Sequence, residues 1–167
     1  MKIATWNVNS LRIRMPRLLE FAELHRPDLL LLQETKCDPG AFPLMELEAG
    51  GYRAVHHSAG RWAGVAIVAS AGAEVSDVSV GLPGAPARDE ARWLEATVHR
   101  TRVVSVYVPN GRAVDTPPYV DKLRFLEAMA ARIGALSADP LVVGGDFTCA
   151  RRTWTCTTRG RSPARRT

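Results

Sequence analysis

The stretch LLLLQETK, residues 29–36, decides the fold. Four consecutive leucines after Pro27 and Asp28 are typical of a short strand that is buried on both faces. The strand runs out in Gln33 and Glu34, so Glu34 lies where a buried strand meets its loop. Open α/β sheets usually carry their chemistry at the carboxyl ends of their strands. Glu34 is therefore a candidate site residue, although a lone Glu after a leucine run is more often a solvated loop residue.

The segments before this strand predict a β-α-β unit. Lys2–Val8, KIATWNV, has strand propensity and contains Asn7 near its end. A helix follows in which Pro16 suits the first turn, with an apolar stripe that stops before Pro27. The stripe consists of Leu18, Leu19, Phe21, Ala22 and Leu24. A right-handed crossover makes the two strands parallel, so Asn7 and Glu34 are expected to lie close together at their carboxyl ends.

Short apolar segments separated by glycine and proline follow a short predicted helix at Phe42–Glu48, and they are typical of antiparallel strands. They are YRAVHHS (52–58), WAGVAIVAS (62–70), ARWLEATVH (91–99) and RVVSVYVPN (102–110). For His56 and His57, a surface or pairing role is favoured over metal ligation. Arg92 alternates with Trp93 and Leu94, and it is either an inward-facing cation or a solvated edge residue.

Tyr107 ends an apolar strand, directly before the turn Val108-Pro109-Asn110-Gly111. A phenol at the end of a strand is usually a core ring with its hydroxyl at the surface. Here the turn could instead aim the hydroxyl at the same cleft as Glu34.

A second strand–loop junction follows a long predicted helix from Thr116 to about Leu136. Its apolar stripe consists of Tyr119, Leu123, Leu126, Met129 and Ile133. The segment LVVGGDF (141–147) then predicts a buried strand with Asp146 just past its end, and Gly144 and Gly145 allow close approach of backbones.

Asn7, Glu34, Tyr107 and Asp146 thus all lie at the ends of strands with apolar bodies. Two carboxylates and an amide oxygen are hard ligands suited to Mg²⁺ or a similar ion. Such an ion can polarise a phosphoryl oxygen, Asp146 can orient or deprotonate a water, and a Tyr hydroxyl can hydrogen-bond a phosphate.

The composition predicts one soluble domain with a real core in 167 residues. No apolar run is long enough to span a membrane, and strand-like KIATWNV after Met1 predicts no signal peptide, so a cytoplasmic location is expected. Residues 1–146 hold 16 Lys/Arg and 17 Asp/Glu, whereas residues 147–167 hold six Arg and no acid. The basic charge therefore belongs to the last segment. The three cysteines show neither metal-ligand spacing nor a disulfide framework.

Four segments in order, IATWNVNSLR, RPDLLLLQETK, YVPNGR and LVVGGDF, resemble exodeoxyribonuclease III and the apurinic/apyrimidinic endonucleases of the endonuclease/exonuclease/phosphatase superfamily. The likeness covers residues 1–147. It implies the N-terminal half of a DNase I-like α/β fold, a four-layered sandwich of two mixed sheets with helices outside. A folded chain is expected to be a monomer.

This resemblance also implies roles for particular residues. It implies metal binding by Asn7 and Glu34, phosphate or catalytic work by Tyr107, and metal or water contact by Asp146. It places Arg92 and Asn110 at the DNA. The implied ion is Mg²⁺ or Mn²⁺, and the implied reaction is hydrolysis of duplex DNA at abasic sites and from 3′ ends in base excision repair.

The resemblance breaks after Phe147, where the family has Asn and this chain has Thr148. Residues 148–167 are rich in Arg and Thr. Their composition resembles the translation of GC-rich coding DNA in the wrong reading frame. With codons chosen from the synonymous sets and one base restored, a back-translation of Thr148–Arg159 can be read as NVRPADLDVYDP, which is consistent with the continuation expected of the family. We therefore expect an incomplete domain at 1–147, a disordered, non-homologous tail at 148–167, and very weak or absent activity. Nonspecific binding of nucleic acid is a second interpretation of the tail.

Two other functions stay open. One is a phosphoesterase of the same superfamily that acts on lipid or inositol phosphates. The other is a non-catalytic DNA- or protein-binding fragment, which the absence of the family's His-containing C-terminal motif favours.

Overall fold

The computed structural model of the chain describes residues 1–86, 90–136 and 140–148. Within these ranges it forms eight strands, three α-helices and a short 3₁₀ turn at Pro39–Ala41. The strands are β1 (Ile3–Asn7), β2 (Leu29–Gln33), β3 (Tyr52–His57), β4 (Val65–Ser70), β5 (Val75–Val80), β6 (Trp93–Val98), β7 (Thr101–Tyr107) and β8 (Leu141–Asp146). The helices are α1 (Leu11–His25), α2 (Leu44–Ala49) and α3 (Pro117–Leu136).

The strands form two mixed sheets of four, with the orders β1-β2-β4-β3 and β5-β6-β7-β8. β1 and β2 are parallel neighbours joined by α1, and β7 and β8 are parallel neighbours joined by α3. The other pairs are antiparallel, as the segments between residues 52 and 110 predict. Among the described residues, β1 and β8 are each an edge strand of their sheet, and they contact each other on the same flank.

Three apolar clusters join the layers. Between the sheets, Leu29 and Leu31 of β2 and Ile67 of β4 pack with Leu94 and Val103 of the second sheet. The outer face of the first sheet packs against α1, and the outer face of the second packs against α3. The order helix, sheet, sheet, helix is the predicted four-layered α/β sandwich. β2 has every residue buried because it faces both an outer helix and the opposite sheet.

Two glycines let β8 enter this arrangement. A Cβ on Gly144 would lie 2.6 Å from Leu31 Cδ1 of the opposite sheet, and a Cβ on Gly145 would lie 1.9 Å from the carbonyl oxygen of Val106. These distances confirm the prediction that Gly144 and Gly145 allow β8 to approach its neighbours closely. They bring β8, and Asp146 at its end, against β2 and β7.

Helix α1 begins five residues earlier than the position of Pro16 predicts, at Leu11. Pro16 is thus inside the helix, where it removes one backbone N–H bond. The helical segment before Pro16 is stabilised because its apolar side chains are buried on the same face as those that follow. The buried residues of α1 are Leu11, Met15, Leu18 and Ala22. Leu24, which the sequence assigns to the stripe, is 75% exposed.

Strand β5 is absent from the sequence prediction. Its pairing with β6 shifts register between Ser76 and Ser79, and Asp77 has a left-handed φ of 48°. This bulge breaks the alternation of apolar residues by which a half-buried strand is recognised.

Residues 149–167, where most of the predicted disordered tail falls, lie outside the described residues. Among the residues that the structure describes, none of the helices combines the length and the apolar character that crossing a bilayer requires.

Candidate metal and phosphate site

Three of the predicted site residues meet at one nitrogen atom. The side-chain Nδ2 of Asn7 donates to Glu34 Oε1 at 2.7 Å and to Asp146 Oδ2 at 2.8 Å. The structure thus brings together β1, the loop after β2 and the end of β8, and it joins residues that are far apart in sequence. Two carboxylates held this close repel each other unless a donor or a cation lies between them. The amide supplies the donor here.

Tyr107 completes the group from the end of β7. Its Cα is the register partner of Asp146, and its hydroxyl donates to the Glu34 carboxylate. Burial and the contact with Glu34 both raise the pKa of the phenol, so Tyr107 is a neutral hydrogen-bond donor at physiological pH.

Left-handed backbone shapes both loops that carry the site. Asn9 and Ser10 have φ values of 43° and 89°, and Glu34 and Lys36 have values of 53° and 51°. Such values are uncommon for residues other than glycine, and they persist only where surrounding structure holds them. Backbone bonds between the loops supply that support: Ser10 N–H donates to Glu34 O at 2.8 Å, and Leu11 N–H donates to Thr35 O at 2.9 Å.

Lys36 contributes a positive charge to the site. Its Nζ lies 2.9 Å from Glu34 Oε2 and 2.5 Å from Asn9 Oδ1. Burial alone would raise the pKa of Glu34, but hydrogen bonds from Asn7, Lys36 and Tyr107 and the charge of Lys36 lower it below its usual value. Glu34 is therefore ionised at neutral pH.

Arg92 and Asn110 lie beside Tyr107 in a cleft of about 310 Å³. The guanidinium carbon of Arg92 lies 4.7 Å from the centroid of the Tyr107 ring, and Arg92 also pairs with Glu90. Arg92 is thus an inward-facing cation. The side chain of Asn110 accepts a bond from the backbone N–H of Arg112 at 2.9 Å, so it lines the cleft without joining the bonded group around Asn7.

A model of the endonuclease/exonuclease/phosphatase family matches residues 4–166 of the chain. The chain belongs to this family. The match runs past residue 147, and the domain boundary predicted there stays a prediction.

Relatives within the family are DNA-processing enzymes. The chain is 30% identical over 159 residues to exodeoxyribonuclease III of Haemophilus influenzae, a match that covers 88% of this chain and 57% of that protein. Its fold is similar to that of NExo, a 3′ phosphatase from Neisseria bound to a product DNA hairpin, with a TM-score of 0.87, 37% identity, and coverage of 93% of this chain and 61% of that one. An AP endonuclease from Archaeoglobus fulgidus is also similar, with a TM-score of 0.85, 34% identity, and coverage of 92% and 59%. These relatives assign the chain to the exodeoxyribonuclease III and AP endonuclease branch of the family. The chain spans 57–61% of the length of these three proteins.

Thr148 lies where the resemblance described above predicts Asn, and its side chain is bonded away from the carboxylates. Its Oγ1 lies 2.9 Å from Lys122 Nζ of α3 and 3.2 Å from the carbonyl oxygen of Pro109. Only its backbone N–H reaches the site, where it donates to Asp146 Oδ1 at 2.9 Å.

The exonuclease III and AP endonuclease family is divalent-metal-dependent, and the residues of this chain fit such an ion. Glu34 and Asp146 offer carboxylate oxygens, which hard cations prefer. Asn7 adds an amide oxygen, which accepts from the backbone N–H of Asn9 at 3.1 Å, while its Nδ2 faces the carboxylates. Among the described residues, no group of three or more His, Cys, Asp or Glu could hold a metal. An ion here would therefore keep several water or phosphate ligands, as Mg²⁺ commonly does.

Sequence analysis missed three contributors to this region: Asn9, Lys36 and Lys122. Asn9 and Lys36 flank the motif residues Asn7 and Glu34, so adjacency to those motifs was an available signal. Lys122 carried no signal, because its contact with Thr148 spans 26 residues and depends on the packing of α3.

Proposed function

We propose that the chain is a monomeric hydrolase of duplex DNA that uses Mg²⁺ or Mn²⁺ to cleave at abasic sites and to remove nucleotides from 3′ ends. The observation that carries this proposal is the convergence of the Glu34 and Asp146 carboxylates on the Asn7 amide, beside the neutral Tyr107 hydroxyl. The names of the related enzymes support DNA as the substrate.

The chain's own residues divide the chemistry as follows. Asn7, Glu34 and Asp146 would hold the divalent ion, which when bound supplies a Lewis acid that polarises a phosphoryl oxygen. Asp146 accepts a proton from the attacking water or orients that water. The neutral hydroxyl of Tyr107 donates a hydrogen bond to the phosphate as negative charge develops on it.

Arg92 and Asn110 bind the DNA backbone next to the reacting phosphate. The Nη1 group of Arg92 is buried without a hydrogen-bond partner among the described residues, although its Nε pairs with Glu90. A phosphate oxygen in the adjoining cleft would satisfy it. Guanidinium groups suit phosphate because they offer several donors in a fixed plane.

The test uses two labelled duplexes, one with an abasic-site analogue and one with a recessed 3′ end, incubated with the full chain in Mg²⁺, Mn²⁺ or EDTA. Asp146→Asn and Glu34→Gln are expected to lower cleavage by roughly 100-fold or more. Lys2→Met, at the opposite end of β1, is the matched control. Bis-p-nitrophenyl phosphate and an inositol phosphate test the alternative phosphoesterase. Wild-type cleavage that persists in EDTA, or equal turnover of the small esters, would contradict the proposal.

DNA binding without turnover is the second candidate, and Thr148 favours it. Its hydroxyl is engaged by Lys122 and Pro109, so residue 148 gives Asp146 only a backbone N–H and no side-chain donor. This candidate predicts salt-dependent binding of both duplexes with no product in Mg²⁺ or Mn²⁺.

A further inference from the structure

The two oxygens of Glu34 have different partners. Oε1 accepts from the neutral Asn7 amide, whereas Oε2 lies 2.9 Å from the Lys36 ammonium. The ammonium is bonded to Asn9 Oδ1 as well, and the Lys36 side chain is 26% exposed. A positive charge is therefore already in place on one face of the carboxylate that the proposed metal site needs, and solvent can reach it.

The backbone holds Lys36 in this position at some conformational cost. Lys36 has a φ of 51°, and its N–H donates to the carbonyl oxygen of Ala63 at 2.9 Å. Glu34 is also left-handed, so the two residues that form the pair are both in uncommon conformations. An ordinary surface ion pair does not need backbone hydrogen bonds that hold its residues in left-handed conformations. The Glu34–Lys36 pair has them, so the conformation of the site loop fixes the pair.

We propose that Lys36 is a resident counter-charge for Glu34, which a divalent cation displaces, and that the released ammonium then binds a phosphate of the DNA. The inference rests on the proposed metal site at Asn7, Glu34 and Asp146.

The physical reason is competition between cations. The ammonium and a divalent ion on the same carboxylate repel each other, so each lowers the affinity of the site for the other. The four-carbon stem of Lys36 lets the ammonium leave Glu34 without movement of the backbone. Phosphate is the anion that the substrate brings to this place. Lys36 therefore opposes metal binding in the free protein and favours DNA binding in the metal-loaded protein.

These two effects have opposite signs, which separates the proposal from a merely structural role. The first measurement is Mn²⁺ affinity of the full chain without DNA, from the electron paramagnetic resonance signal of the free ion. Lys36→Met is expected to bind Mn²⁺ about tenfold more tightly than wild type, since it removes the repulsion of one positive charge at close range. Lys36→Gln is a second variant should the first fail to fold, as judged by circular dichroism.

Two controls accompany this measurement. Lys2→Met removes a lysine whose Nζ donates to the carbonyl oxygen of His25, at the far end of α1, and should leave Mn²⁺ affinity unchanged. Glu34→Gln should abolish the binding. If wild type binds no Mn²⁺, the proposed metal site fails, and this inference fails with it. If wild type binds and both Lys36 variants bind equally or more weakly, only the inference is overturned.

The second measurement is the affinity for a duplex with an abasic-site analogue, in Ca²⁺ to suppress cleavage, at several salt concentrations. Lys36→Met should bind this duplex several-fold more weakly than wild type. The slope of its binding constant against salt concentration, on logarithmic axes, should fall by the amount that about one phosphate contact contributes. An unchanged salt dependence would overturn the release of Lys36 to the phosphate.

Discussion

Gln33 of β2 and Ser105 of β7 are hydrogen-bonded across the interface between the two sheets, with Gln33 Nε2 donating to Ser105 Oγ at 3.2 Å. Ser105 Oγ in turn donates to the carbonyl oxygen of Leu32 at 3.1 Å. Both side chains are buried in an otherwise apolar interface. Gln33 directly precedes Glu34, so this bond ties the strand end that carries the candidate ligand to the opposite sheet.

Ser105→Ala should therefore cost about 1–2 kcal/mol of unfolding free energy, because buried groups on Gln33 and Leu32 lose a partner. Urea denaturation measures the loss. Ser76→Ala, at an exposed position of β5, is the matched control and should change stability by less than about 0.5 kcal/mol. Equal effects of the two substitutions would refute the role given to this bond.

Gly145→Ala is expected to prevent folding or to cost more than about 3 kcal/mol. Its Cβ would lie 1.9 Å from a backbone oxygen of β7, and backbone in a paired strand cannot move aside. Gly72→Ala meets nothing within 4 Å and is the comparison. Thermal unfolding distinguishes them, and a Gly145→Ala variant as stable as Gly72→Ala would contradict the observed pairing of β7 and β8.

The environment of Glu95 in β6 is expected to make the fold less stable at low pH. It is 1% exposed, and its carboxylate accepts bonds from Arg102 at 2.6 Å and from Arg132 of α3 at 2.7 and 2.8 Å. Burial would raise its pKa, but bonds from Arg132, Arg102 and Trp93 lower it to about 2. A lowered pKa stabilises the fold above the unfolded value of about 4.5, so this contribution should disappear as the pH falls from about 5 to about 2.

Glu95→Gln should remove this contribution at every pH and cost about 3 kcal/mol, because two arginines lose their counter-charge. Urea unfolding at pH 7 and at pH 3 measures both effects. Glu20→Gln breaks an exposed pair with Arg17 and should cost less than about 0.5 kcal/mol. If the loss for Glu95→Gln is as large at pH 3 as at pH 7, the lowered pKa is wrong.

How far the sequence predicts this molecule depends on the range of the forces involved. The buried strand at Leu29–Gln33 and the meeting of Asn7 with Glu34 follow from local hydrophobicity and the rules of parallel crossovers. Asp146 and Tyr107 follow from the same logic of strand ends. These are properties that a segment carries whatever surrounds it.

The features that were missed depend on tertiary contacts. The bulge in β5 removes the alternation that marks a strand, and the left-handed backbone of Glu34 and Lys36 is held by bonds to other loops. The stripe of α3 includes Phe125 and excludes Leu123, which is 42% exposed. Which side chains of α3 are buried is set by how the helix packs on the second sheet.

Thr148→Asn tests whether the departure from the family pattern limits catalysis. An amide at this position should raise cleavage of the abasic-site duplex by roughly tenfold or more, since a well-placed donor at a reacting phosphate is worth that much. Thr148→Ser keeps the hydroxyl and should leave the rate unchanged. If Thr148→Asn gives no increase while DNA binding persists, the residue at position 148 does not limit catalysis.

The proposed frameshift is one base lost between the codons for Gly144 and Thr158, and two origins differ in outcome: an error in the sequence predicts that this base is present in the coding DNA, whereas a genuine deletion predicts that it is absent. Independent sequencing of that DNA from the source strain measures it directly. A restored base would place Asn after Phe147 in the family pattern, whereas an unchanged reading would make residues 148–167 a genuine part of this chain.

Because β1 and β8 lie at the edges of their sheets, their backbone amide hydrogens are expected to exchange with solvent at unequal rates. Every second amide of an edge strand points away from its neighbour, so these amides depend on solvent or on another strand for a partner. In deuterated water, the outward amides of β1 and β8 should exchange early, while those of β2, β4, β6 and β7 wait for larger openings. Asn7 and Asp146, at the ends of these two edge strands, would then lie on a weakly protected flank, whereas Glu34 directly follows the buried strand β2.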